Sequence, residues 1–536
     1  MSPCLPGAES NSIALHPSIE PLTDDIRHTK TKHLIYRGSS PTIRSRYTEE
    51  NFDVKPCVFF ERFLESNPDC PLQDYSECAP VKRSRERFMK SFMKCDVPPI
   101  KPTGVWEDID LDAAFKLAVD YTYAQFSFLV STKVASELDF NRSTSAGIPY
   151  NRMGYKNKGE VLDKLDLEQE MARRHIPIYA VNDKKEFLPV EDIVNLKVRT
   201  VFAPDVVFLA HQKLFTSDAN DRMHDRWRDF PNFWSRYGMV KQYGGFNDLF
   251  SAHAERDIHI TGDGSGWDRV LPLLPEVWSM RRFFFDDLPP EVDSLFDYVS
   301  SNTCYPLVGL PDGSVYQRIT GNCSGSNSTT TDNCIAHTII TYFFILLLGF
   351  RAHGRFISRD EIHQHTTISL YGDDSFDSLD SHFFSIPGED VETTKTEITR
   401  YYMYSYMSFG VVVKMAQFNY VVGKPDGLEF LGSTSLLSDG YYYPLPRLAK
   451  LCTSITQALS PKNHKQLVAT IIALFDLTSP VPDPDCYKVS GYLSRFAAYV
   501  LQNNLVDDVS LTERDRIFYI SKMDRTHSVA LLTGHE

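Results

Sequence analysis

Two short acidic segments and one small-polar segment could together do chemistry. The first reads Asp263-Gly264-Ser265-Gly266-Trp267-Asp268, at the expected end of a strand formed by residues 257–261. A carboxylate held at a strand end can bind a hard divalent cation. The five-residue step sets Asp268 beyond the strand, where it can face a substrate while Asp263 holds metal. A calcium-binding loop is a competing reading, although the acid that closes such a loop at its twelfth position is missing. The second segment is Tyr371-Gly372-Asp373-Asp374-Ser375. A strand, a glycine and two acids make a tight hairpin with both carboxylates at its tip. Adjacent acids repel, so the tip is either solvated or neutralised by a cation. Average residue usage places Gly-Asp-Asp in roughly one chain in ten of this length, so the string alone decides little.

The third segment, residues 324–333, carries Ser324-Gly325 and then Thr329 and Asn333. The pattern predicts a flexible loop leading into a long helix. Thr329 and Asn333 are four apart and share one helix face. Small polar groups there would let a nucleotide approach and offer it hydrogen bonds. An ordinary capped helix start is the plainer reading.

The order of the three segments says more than any one of them. Asp263 precedes Ser324 by 61 residues, and Ser324 precedes Asp373 by 49. In this order the chain resembles the palm of RNA-dependent RNA polymerases of positive-strand RNA viruses, with its motifs A, B and C. The form Gly321-Asn322-x-Ser324-Gly325…Thr329-Thr330…Asp332-Asn333 resembles the picornavirus-like supergroup, which includes calicivirus-, astrovirus- and potyvirus-like members.

That resemblance implies roles. Asp263 and Asp373 would bridge two Mg²⁺ ions, with Mn²⁺ as a substitute, and Asp374 would support one ion or its waters. Asp268, Asn333 and Thr329 would test the 2′-hydroxyl of the incoming nucleotide, with Ser324 beside them. Residues 144–150 are similar to motif G, so Ser145 and Gly147, together with Gly325, would touch the template. Lys184-Lys185-Glu186 and Lys197-Val198-Arg199 resemble motif F, which implies that Arg199, Lys197 and Lys184 line the triphosphate path. Arg suits that role because its planar fork binds two phosphate oxygens. Residues 409–414 resemble motif D, whose lysine protonates pyrophosphate. Lys414 and Lys424 are both candidates, and a gapless match falls on Phe418. Residues 428–433 resemble motif E.

The elements that must position these groups follow from composition and pattern. The chain has 536 residues, 42% of them hydrophobic, enough for a large multi-lobed core. The expected fold class is α+β, a right-hand polymerase fold with fingers, an antiparallel palm sheet with helices, and a helical thumb. Residues 1–100 form an N-terminal extension and fingertip region, 101–252 fingers, 253–270 palm, 271–318 a fingers insertion, 319–435 palm and 436–536 thumb. Residues 1 to about 50 are polar and read as a loosely docked arm. Residues 82–94 hold six basic residues and one acid, with Phe88 and Phe92 four apart. That spacing fits a basic amphipathic helix with either a solvated face or one that meets RNA phosphates.

The apolar run at 338–350 is shorter than the roughly 20 residues of a membrane-spanning helix and reads as a core helix, so no transmembrane segment is expected. A net charge of −14 argues against a nucleic-acid coat protein but not against an internal basic channel. Ten cysteines without zinc spacing fit reduced thiols; Cys57, Cys70 and Cys78 are the nearest to a cluster. The implied partners are RNA template and primer, nucleoside triphosphates, a protein primer and other viral replication proteins, at replication membranes in the host cytoplasm. A reverse transcriptase, an RNA-binding scaffold with a decayed palm and a calcium-binding structural protein are the alternatives.

Overall fold

A computed structural model of the chain describes residues 15–24, 30–45, 47, 55–70, 72, 78–81, 83–184, 186–195, 197–224, 226–414, 418–458, 463–506 and 509–522. Lys82, Lys185 and residues 1–14, 25–29, 46 and 48–50 of the expected N-terminal arm lie outside these residues.

The organising element is the helix Thr329–His353. Its residues from Thr331 to Gly349 are all buried, so it is apolar on every side and not merely along one stripe. Each of its fully buried Leu, Ile and Phe side chains stabilises the fold by roughly 1.5–3 kcal/mol. Gly354, at φ +66°, stops it in the left-handed conformation that suits glycine. Among the described residues this is the one helix long and apolar enough to cross a membrane, and protein encloses 94% of its apolar window.

An antiparallel sheet lies against this helix. The strand Ile258–Ser265 is central, flanked by Asp374–Leu379 on one side and by Val412–Val413 and Asn419–Val422 on the other. Thr366–Tyr371 completes the sheet beyond Asp374–Leu379. The first strand therefore does not end before Asp263, as its alternation suggested. Pairing of Gly264 and Ser265 with Val413 and Val412 carries it to Ser265, four residues past Thr261.

A second, mixed sheet orders Ile35–Ser39, Ser314–Gln317, Leu307–Gly309, Ile178–Asp183 and Thr200–Ala203. Its first strand corrects the expectation of a loose arm. Leu34 and Ile43 are buried, and Thr23 pairs with Ser39 through two backbone hydrogen bonds. The strand was missed because it is short and edge-paired only on folding.

The basic helix forms over Arg85–Phe92, with Phe88 and Phe92 buried. The helix Val58–Ser66 instead packs Phe60 and Phe63 against Phe496 of the C-terminal helix Pro484–Gln502. The described residues of 1–100 thus dock on several different cores. The C-terminal core also contains the helices His464–Thr478 and Leu511–Ile520. The division expected at 435/436 falls inside the strand Ser433–Ser438, whose partner runs to Pro446. The one at 252/253 falls inside the helix Gly245–His253.

An ion pair with no solvent exposure at either side chain joins the helix Leu274–Phe283 to the central helix. Arg281 donates through Nε to Asp332 Oδ1 at 2.6 Å and through a terminal nitrogen to Asn220 and Thr331. Asp332 also accepts from Ser328 Oγ at 2.8 Å. Removing one partner strands a buried charge, at a cost of roughly 3–5 kcal/mol. Asp332→Ala should therefore lower the thermal midpoint by several degrees in a melting experiment; a shift below about 1 °C would contradict this account.

Candidate active site

The two acidic segments meet by strand register. Asp374 stands directly opposite Asp263 across the antiparallel pair, and Tyr371 closes the hairpin against Asp374. Gly372 and Asp373 form the two-residue turn, with Gly372 at φ +65°. Opposed residues share a sheet face, so three carboxylates converge at one end of the sheet. Asp263 and Asp374 are half-buried, and Asp373 is exposed to the cleft. None of the three forms an ion pair with a lysine or arginine among the described residues. Loss of water within the cleft raises all three, and neighbouring acids add to it at Asp373, raised to about 6, and at Asp374, raised to about 7. Crowded, unpaired carboxylates of this kind fit divalent cations, which take oxygen ligands. A calcium loop is not what forms here, because Asp263 lies within a strand.

A hydrogen-bond chain holds the hairpin turn from below. Ser375 Oγ and Tyr402 Oη are 3.0 Å apart, and Tyr402 donates to Tyr406 at 3.1 Å. Tyr406 Oη lies 2.6 Å from His337 Nε2, whose Nδ1 lies 3.0 Å from the carbonyl of Gly372. Burial lowers His337 to about 4, so its ring is neutral, donating to Gly372 and accepting from Tyr406.

Asp268 opens the short helix Trp267–Val270. Asn333 Nδ2 donates to its Oδ1 at 2.7 Å, while Asn322 donates to Asn333 Oδ1 at 3.2 Å. The pair is fixed, and Asp268 keeps one oxygen for a substrate. Thr329 is not part of this face as expected. Its hydroxyl is spent on the carbonyls of Cys323 and Ser326, closing the loop.

That loop is pinned, not flexible. Ser324 Oγ accepts from Phe202 N, and Gly325 N donates to Phe202 O at 2.9 Å. A Cβ on Gly325 would sit 2.5 Å from Phe202 O, so close packing of the two backbones requires glycine there. The same holds for Gly147, at φ +80°, whose Cβ would fall 2.4 Å from Asp205 Cα. Ser145 alone of the three expected template residues has an exposed side chain.

Arg199 precedes the strand that pins this loop. It donates through Nε to Glu186 at 2.8 Å, and Lys184 lies 3.6 Å from the same carboxylate. The Glu186 hydrogen bonds raise Arg199 most; Asp373 and Asp268 also act on it, so it faces the acids. Lys197 pairs with Asp192 at 2.7 Å and acts on Asp263.

The structure separates the two lysine candidates of residues 409–424. Lys414 directly follows Val413, which pairs with Gly264, and its charge acts on Asp263. Lys424 follows Val422 and Gly423 at the far end, where Val422 pairs with Ile258. Five residues of strand, roughly 17 Å, separate that end from Asp263. Phe418 packs against Tyr402.

Residues 120–456 match the family model described as viral RNA-dependent RNA polymerase. The chain belongs to that family. Its reaction is RNA-templated RNA synthesis, in the replication of positive-strand RNA viruses, and polymerases of this family use divalent metal ions. The chain is 25% identical over 405 residues to a genome polyprotein of Zucchini yellow mosaic virus (strain Reunion Island), covering 72% of this chain and 12% of the polyprotein. It is 27% identical over 310 residues to non-structural polyprotein 1AB of Turkey astrovirus 2, covering 55% of this chain and 18% of that one. The polymerase thus spans about an eighth of the potyviral polyprotein it matches. Among solved structures, the Sicinivirus 3Dpol RNA dependent RNA polymerase shares the fold, with a TM-score of 0.61 at 15% identity over 88% of this chain and 96% of that one. The right-hand polymerase fold expected from the sequence is the fold observed.

Two cations of this polymerase escaped the motif reading. Burial lowers Lys94, and Arg269, Lys414, Lys197 and Lys90 add to the effect, so these cations stand close together. Arg269 directly follows Asp268, and it reaches Ser91 at 3.0 Å. The signal for Lys94 was present in the basic run 82–94. Within that run, Arg87 and Lys90 hold the carbonyls of Ile193 and Asn195, beside Lys197. One face of the helix is therefore spent on protein, and only its end faces the site.

The raised acids make metal-free stability depend on pH. Asp377, buried on the opposite strand face to Asp374, is pushed up to about 7 by burial. Acids with raised folded pKa values keep their protons in the native state while the unfolded chain loses them. Stability then falls as pH rises from about 4 to 7. In chelator, the thermal midpoint should drop by at least about 2 °C between pH 5.5 and 8. Asp374→Asn should flatten that slope, and Mg²⁺ should offset part of it in the wild type but not the share from Asp377. A midpoint independent of pH in chelator would refute the charge-crowding account.

Proposed function

We propose that this polymerase extends an RNA 3′-hydroxyl with nucleoside triphosphates at a two-Mg²⁺ site held by Asp263, Asp373 and Asp374. The observation that carries this reading is the register that sets Asp374 opposite Asp263 with Asp373 on the adjoining turn. Mn²⁺ has the same preference for oxygen ligands and would substitute. When bound, the ions supply Lewis acidity for the attacking hydroxyl and charge neutralisation for the leaving pyrophosphate.

The protein's own share is placement. Asp268, held by Asn333, presents one carboxylate oxygen to the sugar hydroxyls. A site whose buried groups need a hydroxyl rejects its absence by ~10⁴-fold or more. This distinguishes the site from a reverse transcriptase, which would exclude that hydroxyl by bulk. Arg199 and Lys197 guide the triphosphate, each sharing its charge with an acid of its own, Glu186 and Asp192. Lys414, beside the metal acids, is the candidate to protonate pyrophosphate. Ser145 is the candidate template contact. Ser324, Thr329, Gly325 and Gly147 act indirectly, by fixing the backbone around the nucleotide.

We assign 101–252 and 271–318 to fingers, 253–270 and 319–435 to palm, and the helices after Pro446 to the thumb. Kinship with viral polyproteins supports other viral proteins, including a protein primer, as partners. We place synthesis in the host cytoplasm, at replication membranes, as part of the same proposal.

Primer extension on an RNA template tests the assignment. Asp373→Asn should lower extension by roughly 10³-fold or more while leaving the fold intact; near-normal extension would remove Asp373 from the metal site. Asn333→Ala should reduce the preference for ribonucleotides over deoxyribonucleotides by about tenfold or more. An unchanged ratio would remove Asn333 from sugar selection.

A further inference from the structure

The acid hairpin has a second cluster at its opposite end. His365 closes the helix Arg359–His365, just before the strand Thr366–Tyr371. Asp380 directly follows the partner strand Asp374–Leu379, and His382 lies in the short helix Ser381–Phe384. The register Thr366 to Leu379 brings these chain ends together, and Asp380 N donates to His365 O at 3.1 Å. One potential ligand atom from each of His365, Asp380 and His382 lies within 4.8 Å of the other two.

We propose that His365, Asp380 and His382 bind one transition-metal dication of the Zn²⁺ class, at a site distinct from the catalytic acids. Two imidazoles and a carboxylate suit Zn²⁺, Co²⁺ or Ni²⁺ and do not suit Mg²⁺, which prefers oxygen throughout. His365 Nδ1 is 3.0 Å from Asp380 Oδ2. Ligand bonds of about 2.0–2.1 Å put two ligands of a tetrahedral ion roughly 3.3 Å apart, so small shifts admit the metal.

The ligands are also oriented. The His365 ring stacks on Phe383 at 3.9 Å and 11°, and meets His382 edge-on at 5.6 Å. Arg256 donates to Asp380 Oδ2 at 2.8 Å and to Thr367 at 3.2 Å, which fixes the carboxylate and leaves Oδ1. Asp257 accepts from Ser381 N at 2.7 Å, holding the residue before His382 and adding negative charge nearby. The charge of Arg256 weakens cation binding, so the expected affinity is micromolar rather than tighter. A strand of six residues, about 20 Å, separates this cluster from Tyr371 and the catalytic turn. A bound ion would tie the helix end of one strand to the loop leaving the other.

The test uses the full chain with Mg²⁺ in excess, so that the catalytic carboxylates are occupied, and titrates Zn²⁺ by calorimetry and Co²⁺ by visible absorption. Wild type and Asp374→Asn should each bind one equivalent, with the ligand-field bands of a nitrogen-ligated Co²⁺. His382→Ala, at an exposed position, should lose affinity by at least about tenfold with its melting temperature unchanged in chelator. His365→Gln should lose the same bands. Equal binding by wild type and His382→Ala would overturn the site, as would no uptake by wild type. Loss of binding in Asp374→Asn alone would assign the metal to the catalytic cluster instead.

Discussion

Two aspartates of like charge face each other across neighbouring strands, and much of the fold exists to keep them there. Like charges directly opposite in an antiparallel pair destabilise the sheet. A slip of one residue would turn Asp374 to the other face and relieve the repulsion. The slip is prevented because the same strand carries Phe376, which stacks on His253, and Leu379, which is buried in the core. On the same face as Leu379, Ser375 binds Tyr402. Apolar packing thus outweighs repulsion and leaves an unneutralised cluster that a cation completes.

The turn at Gly372 and Asp373 needs separate support, because a two-residue loop has no core of its own. The chain from Ser375 through Tyr402, Tyr406 and His337 returns to the Gly372 carbonyl. Three of its four links cross between the hairpin, the helix Val391–Met407 and the central helix, and the Tyr402–Tyr406 link runs along Val391–Met407 itself. A neutral histidine is what closes the chain, since only the neutral ring donates on one side and accepts on the other. Burial of the central helix and the position of the acids are therefore the same structural fact viewed at two depths.

What the sequence revealed and what it concealed divide along the same line. Asp263, Asp268, Asp373, Asp374 and Asn333 were legible because their chemistry needs those residue types, and the apolar run at 338–350 was legible because nothing else buries so much. The roles of Ser324, Thr329, Gly325 and Gly147 were not. A small residue that touches a nucleotide and one that packs on a neighbouring backbone look alike in sequence. Phe202 beside Ser324 and Gly325, and Asp205 beside Gly147, each more than fifty residues away in sequence, distinguish them, while Thr329 is explained by the nearby carbonyls of Cys323 and Ser326. The strand Ile35–Ser39 was hidden because its pairing partner lies far along the chain. The choice between Lys414 and Lys424 turned on which end of one strand each adjoins, which spacing cannot express.

Electrostatics joins these parts. The chain carries a net charge of −14, yet Lys94, Lys197, Arg269 and Lys414 gather near its most acidic site. Arrayed cations beside unpaired acids would ordinarily collapse into ion pairs. Here the acids are fixed by strand register and Lys414 by the strand before it. Lys197 is tethered to Asp192, and Arg199 to Glu186. Each tether takes up part of a cation's charge and keeps it from quenching the carboxylates. On the proposed reading, a triphosphate arriving with its metal ions would meet both halves at once, its oxygens toward the cations and its ions toward the acids. Separation of charge by rigid backbone, more than any single side chain, would then set the selectivity of the proposed site for such a substrate.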